Sequence, residues 1–220
     1  MDQRIDCIFK LISNGSKGIC DVGTDHGYLP IRLAAEGFSG NIIATDINIK
    51  PLKRAESNAE NANVSGDRIT FCRCDGLPEH LSDRFDTAVI AGMGGDLICS
   101  IIDRADWIFS DRYSLILQPM TRPEVLRYYL VNNGFSISSD MLVEDRGRIY
   151  QIIKCSFTSV NDSYSDLELF CGKESRCNDQ HLYKSLLRKI KMNLNAIIAG
   201  SASSDDRSRI AFYRSIVAEI

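Results

Sequence analysis

The chain has 220 residues, enough for one domain of ordinary size with an added segment, and its 44% hydrophobic and 25% charged residues exclude extensive disorder. The net charge of −3 excludes a protein that is basic overall, so a polyanion would have to bind a local positive patch. No apolar run approaches the roughly 20 residues of a membrane span, and the N-terminus lacks a secretory pattern. We therefore expect a soluble, cytoplasmic protein.

Strand-like and helical patterns alternate over the first 134 residues. Helices are predicted over 4–12, 28–36, 47–63, 95–105 and 123–133. Five apolar strands are predicted over Gly18–Val22, Asn41–Thr45, Ile69–Arg73, Thr87–Ala91 and Ser114–Gln118. This alternation predicts a doubly wound, Rossmann-like α/β fold, in which helices cover both faces of a parallel sheet.

The pattern changes in the last 86 residues. Two strand-like runs, Phe135–Glu144 and Arg148–Phe157, are joined by a short polar turn and predict an antiparallel β-hairpin. A linker over 161–165 precedes two amphipathic helices, over 179–199 and 205–220, broken at 200–204. We therefore predict one domain over 1–158 and a C-terminal helical hairpin over 159–220.

The turn after the first strand carries a ligand-binding pattern. Asp21 ends the apolar strand, Gly23 and Gly27 permit a sharp turn, and Asp46 ends the second strand about 20 residues later. Glycines let a ligand approach the backbone amides closely, and an acid at this distance can accept hydrogen bonds from a ribose. The combination predicts a nucleotide-like cofactor; a merely structural strand–helix turn is the alternative.

Eight cysteines raise the question of metal sites and disulfides. The sequence contains no Cys-x-x-Cys pair and only three histidines. Several cysteines lie inside apolar strand patterns, where cysteine behaves as a small hydrophobic residue. We expect reduced, buried thiols and no metal.

Three segments together carry a family resemblance: Asp-Val-Gly-Thr-Asp-His-Gly-Tyr-Leu-Pro at 21–30, Ile-Ala-Gly-Met-Gly-Gly at 90–95, and Leu-Ile-Leu-Gln-Pro at 115–119. In this order they resemble the bacterial tRNA (adenine(22)-N(1))-methyltransferases over essentially the whole chain. That family joins a class I methyltransferase domain, whose parallel sheet ends in an antiparallel hairpin, to a C-terminal coiled-coil-like helical pair. The resemblance implies S-adenosylmethionine as methyl donor, tRNA as substrate and N1 of an adenine, adenine 22, as acceptor.

The resemblance implies cofactor contacts at the strand ends. Asp21 is expected to accept from the ammonium group, Asp46 from both ribose hydroxyls and Asp75 from the adenine amine. A plain turn residue is the alternative for Asp75. The other residues expected to contact the cofactor are small and lie beside a strand end. They are Gly23, Gly27, Gly76, Ala91 and Gly92.

Four residues are expected at the methyl-transfer end. Asp25 occupies the position of the middle glycine in the general class I turn, and it could accept from the target amine or stabilise the cationic product. His26 could orient the base or contact phosphate, or simply begin the helix. Met93 is expected to pack on the target ring and Gln118 to bond to the substrate. An Asn/Asp-Pro-Pro-aromatic motif is absent after the fourth strand, which argues against exocyclic N6 methylation.

The RNA is expected to contact two regions. Near the site, the residues expected to contact the RNA are Tyr28, Gly94 and Gly95. The alternative for the two glycines is that they merely end a strand and begin a helix. In the tail, the spacing of Lys184, Arg188 and Lys191 places them on one helix face that could contact phosphates. The alternative is that this face is simply exposed to solvent. We expect a monomer or weak dimer with no membrane partner.

Three other functions stay open from the residues alone. A nicotinamide-dependent oxidoreductase would use the same acid after the second strand, although the hairpin ending disfavours it. The substrate could be another RNA, a protein or a small molecule. The chain could also bind S-adenosylmethionine or RNA without catalysis.

Overall fold

The computed structural model describes residues 2–12, 15–160, 162–200 and 207–220. Seven strands form one sheet in the order β3-β2-β1-β4-β5-β7-β6. The strands are β1 (Gly18–Val22), β2 (Asn41–Asp46), β3 (Ile69–Arg73), β4 (Thr87–Gly94), β5 (Ser114–Thr121), β6 (Phe135–Asp145) and β7 (Arg148–Phe157). The first five are parallel, and β7 is antiparallel to both β5 and β6. The predicted fold class is confirmed.

Eight α-helices surround or extend this sheet in the part of the chain that the structure describes. They are α1 (Gln3–Leu11), α2 (Tyr28–Ala35), α3 (Ile49–Asn61), α4 (Gly95–Asp103), α5 (Pro123–Asn132), α6 (Asp166–Cys171), α7 (Gln180–Gly200) and α8 (Arg207–Glu219). Asp2 caps α1 by accepting hydrogen bonds from the backbone amides of Arg4 and Ile5. Pro123 begins α5, where a missing N–H costs nothing.

The central strands are buried on both faces because helices cover the sheet from both sides. Side chains alternate along β1, so Ile19 and Cys20 enter different core clusters. Ile19 lies in the cluster with Ile8 of α1 and Leu33 of α2, whereas Cys20 lies in the cluster with Ile102 of α4. This packing fixes the strands and presents their carboxyl ends at one edge.

The tail packs against β6. Buried residues of α7 at the predicted spacing, Tyr183, Leu186, Ile190 and Leu194, form one cluster with Leu142 of β6. The sequence missed α6, and it missed Ile216, which is the buried residue of α8. The break was predicted to begin at Gly200, but Gly200 is the last residue of α7, and the rest of the predicted break, 201–204, lies outside the described residues, as does Asn161 of the predicted linker.

A buried ion pair joins the sheet to the tail. Arg127 of α5 donates to Asp140 of β6 from Nε and Nη2, at 3.0 and 2.9 Å, and Nη2 also donates to Gln151 of β7 at 2.8 Å. The other carboxylate oxygen of Asp140 accepts from the Tyr164 hydroxyl and the Lys173 amide, both at 3.2 Å. This cluster, which we name the Arg127–Asp140 joint, fixes where the tail begins.

None of the described helices is both long enough and apolar enough to cross a lipid bilayer.

Candidate active site

Acidic residues meet at the carboxyl edge of the sheet. In the parallel pairing Asp21 lies opposite Ala44 of β2, and Asp46 lies opposite Arg73 of β3. Asp75 follows β3 by two residues. The register therefore places Asp21 and Asp46 on neighbouring strands at this edge, and Asp75 lies just beyond the end of β3.

The turn after β1 has three left-handed residues at alternate positions: Gly23 (φ 73°), Asp25 (φ 47°) and Gly27 (φ 72°). The amides of Gly23 and Thr24 both donate to the carbonyl of Thr45, at 2.8 and 2.9 Å, which holds the turn against β2. Asp25 thus adopts a left-handed backbone conformation, which is ordinarily occupied by glycine. Asp tolerates it better than most residues, at a cost of order 1 kcal/mol.

Asp25 projects into an exposed polar cluster. Its carboxylate lies 3.4 Å from Nε2 of His26 and 3.5 Å from Nη1 of Arg54 on α3. The rings of His26 and Tyr28 stack with centroids 5.2 Å apart and planes 9° apart. Tyr28 is 60% exposed, so its ring offers a flat surface beside a carboxylate and a guanidinium. A base and a phosphate could both contact such a cluster.

The three strand-end carboxylates have different surroundings. Burial raises the pKa of Asp21 to about 6. One oxygen of Asp46 accepts from the Asn48 amide at 2.8 Å. Asp75 is exposed and pairs with Arg104 at 3.0 Å, so an adenine amine would compete with this guanidinium.

The segment after the predicted end of β4 is itself strand. Ala91 pairs with Gln118, Met93 with Pro119 and Gly94 with Thr121, with register shifts between them. Gly92 (φ 79°) stands out of the ladder as a bulge. This corrects the expectation that Ala91 ends the strand and that Gly92, Met93 and Gly94 follow it.

Two of these residues pack closely against neighbours. The Met93 methyl group lies against Gly23, in the place that a Cβ of residue 23 would take. Gly95 begins α4 and is buried against the backbone of Arg122, which leaves no room for a side chain. Met93 therefore lies over the glycine turn, while Gly95 is a packing position within the described structure.

Gln118 departs from expectation. Its side chain is fully buried, and its oxygen accepts from the Gly92 amide and from Nη1 of Arg4, both at 3.1 Å. Its nitrogen donates to the Pro119 carbonyl at 2.9 Å. The expected bond from Gln118 to the substrate is thus replaced by bonds within the protein, and Gln118 holds the β4 bulge to α1.

Sequence reasoning missed the arginines of the site. Arg54 contacts Asp25, Arg4 contacts Gln118 and Arg104 contacts Asp75. Arg4 and Arg54 lie on helices and Arg104 directly follows α4, all remote in sequence from their partners. Nothing in the local pattern distinguishes them from ordinary surface arginines.

The remaining predicted residues are placed as follows. Thr45 donates to the Gly76 carbonyl at 3.2 Å, which holds the loop after β3 beside β2. Lys184 and Arg188 are exposed on α7, and Lys191 is half-buried. The eight cysteines are free thiols, and the described residues contain no group of three His, Cys, Asp or Glu side chains able to hold a metal.

Residues 1–153 match the family model described as a methyltransferase domain. The chain belongs to the methyltransferase family. A tRNA (adenine(22)-N(1))-methyltransferase of Bacillus subtilis is 26% identical to this methyltransferase over 172 residues, which cover 78% of this chain and 71% of that protein. The expected family resemblance and class I fold are confirmed, which decides against the oxidoreductase.

Two solved structures resemble the methyltransferase over nearly its whole length. The M. capricolum TrmK in complex with the cofactor product S-adenosylhomocysteine is 28% identical, with a TM-score of 0.79, over 99% of this chain and 98% of that one. A protein of the NADB-Rossmann superfamily from Streptococcus agalactiae is 25% identical, with a TM-score of 0.85, over 100% and 95%. The resemblance therefore includes the C-terminal helices.

Proposed function

We propose that this chain transfers the methyl group of S-adenosylmethionine to N1 of an adenine in tRNA, adenine 22. The observation that carries the proposal is the edge formed by Asp21, Asp46 and the 23–27 turn, in a chain whose relatives carry that activity by name. The cofactor follows from the same similarity to a structure holding S-adenosylhomocysteine.

The residues at this edge fit S-adenosylmethionine. Gly23 and Gly27 adopt backbone conformations that bring the turn close to a ligand, and a Cβ at Gly27 would approach Ala55 of α3 to 3.0 Å. We assign Asp21 to the ammonium group and Asp46 to the ribose hydroxyls. Gly76, Ala91 and Gly92 would line the same edge, and Asp75 would reach the adenine amine by releasing Arg104.

Bound S-adenosylmethionine supplies a methyl group on a positively charged sulfur. Adenine N1 carries an in-plane lone pair and needs no strong base, so the protein's work is alignment and exclusion of water. We assign Met93 to the target ring and Asp25, with His26, to the amine edge and the positive charge that develops on the base. Arg54 then holds Asp25 in position.

The arrangement also assigns a role to the buried amide. Gln118 bonds both the bulge at Gly92 and Arg4 of α1, so we propose that it positions the β4 end. Tyr28, Gly94 and Gly95 would border the base; for Gly95 the contact would be through its backbone.

The tail is proposed as an RNA-binding appendage over 159–220, with Lys184, Arg188 and Lys191 contacting phosphates. Residues 159–220 hold eight acidic and nine basic side chains, so this segment is less negative than the rest of the chain. The apolar stripe of α7 is buried against β6 of the same chain. This burial supports a monomer or weak dimer, because the stripe is not left for a second copy.

The test is methyl transfer from labelled S-adenosylmethionine to an unmodified tRNA transcript, with the product nucleotide mapped by mass spectrometry. We expect the product to be N1-methyladenine at position 22. A control transcript with guanine at position 22 should stay unlabelled. Asp25→Ala should lose transfer while it still binds S-adenosylhomocysteine. Cofactor binding without transfer to any tRNA would reject the substrate and leave the fold intact.

A further inference from the structure

A cavity of about 500 Å³ lies between the methyltransferase sheet and the tail. Its walls come from the end of β5, the start of β7 and one side of α7. Its lining includes Met120, Arg148, Tyr150, Leu186, Lys189 and Ile190. Binding sites for small organic groups are commonly 300 to 1,000 Å³, so one nucleoside would fit.

The cavity begins beside the carboxyl edge of the sheet that carries Asp21, Asp46 and the 23–27 turn, which we name the catalytic edge. Nε2 of Gln118 lies 3.5 Å from the Met120 sulfur, and Nη1 of Arg4 lies 3.7 Å from the same atom. The Arg4 guanidinium also lies 5.5 Å from the centre of the Tyr150 ring. A chain of contacts therefore connects the β4 bulge at Gly92 to the cavity wall.

The lining combines an apolar floor with a positive rim. Leu186 and Ile190 are buried at the floor, and Tyr150 adds a half-buried ring. Arg148 and Lys189 are exposed at the rim, and neither has an ion-pair partner among the described residues. The lining carries three basic side chains, Arg122, Arg148 and Lys189, against one acid, Glu124, so the rim is net positive even though Arg122 is paired with Asp96. Ring, floor and cations together are complementary to a base with its phosphates.

The β6–β7 turn extends the positive surface back to the catalytic edge. Arg146 (φ 49°) and Gly147 (φ 74°) form the two-residue turn, and the strands pair again at Asp145 and Arg148. Arg146 lines a neighbouring hollow together with Tyr28. Arg4, Arg146 and Arg148 line a further hollow with Tyr150, where they outnumber its two acids, Asp2 and Asp145. Basic side chains therefore continue from the turn to the cavity.

We propose that this cavity is a second nucleotide subsite, which receives an unstacked base of the substrate tRNA next to the target adenine. The proposal rests on the proposed function. N1 lies on the Watson–Crick edge, so the target must leave its pair and the strand must open around it. Tyr150 and the apolar floor accept the neighbouring base, while Arg148 and Lys189 contact its phosphates. The tail then completes the RNA site with the sheet.

The first test is the double variant Arg148→Glu/Lys189→Glu in the full chain. We expect tRNA affinity to fall at least 10-fold at low salt, with a shallower salt dependence, and the affinity for S-adenosylhomocysteine to stay unchanged. Lys17→Glu is the matched control, since Lys17 is exposed at the amino end of β1, opposite the site. Equal tRNA affinity of the double variant and wild type would overturn the subsite.

The second test locates the base directly. A tRNA transcript with 4-thiouridine beside position 22 is irradiated with the wild-type protein, and crosslinked peptides are mapped. We expect crosslinks to the 148–151 segment and to α7, and their loss in Tyr150→Ala. Crosslinks confined to the catalytic edge, with transfer intact, would overturn the subsite alone. Absence of transfer by the wild type would instead reject the proposed function.

Discussion

The acids of the catalytic edge and Asp140 in the Arg127–Asp140 joint are the same residue type in opposite environments. Asp140 is 2% exposed, and its two oxygens accept four hydrogen bonds from Arg127, Tyr164 and Lys173. Asp25 has a left-handed backbone and a side chain that is 59% exposed, and its carboxylate lies 3.4 Å from the His26 ring and 3.5 Å from the Arg54 guanidinium.

Under the proposed function, this difference separates polar groups that stabilise the fold from those that bind a ligand. The joint is saturated by the fold, so it stabilises one arrangement of sheet and tail and leaves no acceptor for a ligand. The edge keeps acceptors available and holds backbone strain that the surrounding turn must maintain. Asp21 lies between the two cases, because it is buried like Asp140 but belongs to the edge.

The largest effect should come from breaking the joint. Arg127→Met leaves the Asp140 carboxylate buried without its guanidinium, which should lower the free energy of unfolding by about 3 to 5 kcal/mol. Urea denaturation measures it. Arg122→Met removes an exposed ion pair with Asp96 and should cost about 0 to 1 kcal/mol. A joint variant as stable as this control would contradict the structural role of the joint.

Substitution of Asp21 should raise the free energy of unfolding at neutral pH, whereas substitution of Arg127 should lower it. Its folded pKa of about 6 exceeds its ordinary value of 3.8, so the folded protein binds the proton more tightly than the unfolded chain. Wild-type stability is therefore lost as pH rises from about 4 to about 6, by roughly 3 kcal/mol for this group. Asp21→Asn should be more stable than wild type at pH 7.5, and the difference should vanish near pH 4.

The control for Asp21 is Asp67, an exposed acid whose pKa is lowered by the fold. Ser65 donates to Asp67 and lowers the pKa of that carboxyl, so Asp67→Asn should give no stabilisation at pH 7.5. Urea titrations of both variants at pH 4.5 and 7.5 separate them. Asp21→Asn should also bind S-adenosylhomocysteine more weakly, and a variant that is less stable at neutral pH would refute the burial argument.

The next effect concerns Asp46. A hydrogen bond to a charged group contributes about 1.5 to 3 kcal/mol, so Asp46→Asn should weaken S-adenosylhomocysteine binding about 10- to 100-fold. Asn keeps the oxygen that accepts from the Asn48 amide, so folding should be preserved. Asp75→Asn should have the smaller effect in calorimetric titration, because Asp75 is exposed and already paired. Equal losses of S-adenosylhomocysteine affinity in the two variants would contradict this ranking and indicate that both carboxylates contact the ligand.

Most of the sheet could be predicted because parallel strands are continuous apolar runs. β1 and β3 have the predicted bounds, Gly18–Val22 and Ile69–Arg73. β4 was predicted too short because glycines indicate a break. Here Gln118 and Arg4, both distant in sequence, hold the bulge that lets the strand continue. Six residues of α6 are too few for a periodic pattern to indicate a helix.

The candidate site was predictable only where chain position decides geometry. Strand ends locate Asp21 and Asp46, and the turn locates Asp25. Burial of Gln118 and the contacts of Arg54 depend on packing between elements, which a local pattern does not encode. The exposure that distinguishes Asp25 from Asp140 is likewise a tertiary property.

The smallest stability effect should accompany one of the largest losses of activity. In Asp25→Gly, relief of the left-handed strain opposes the added entropy of glycine in the unfolded chain, so stability should change by less than about 1 kcal/mol. Asp25→Ala keeps the strain and should be the less stable of the two in urea. Both lose the carboxylate beside His26 and Arg54, and both should lose methyl transfer. Transfer retained by the glycine variant but not by the alanine variant would show that position 25 matters for its conformation alone. The catalytic edge would then need no acid there, and the contrast with Asp140 would concern Asp21 and Asp46 only.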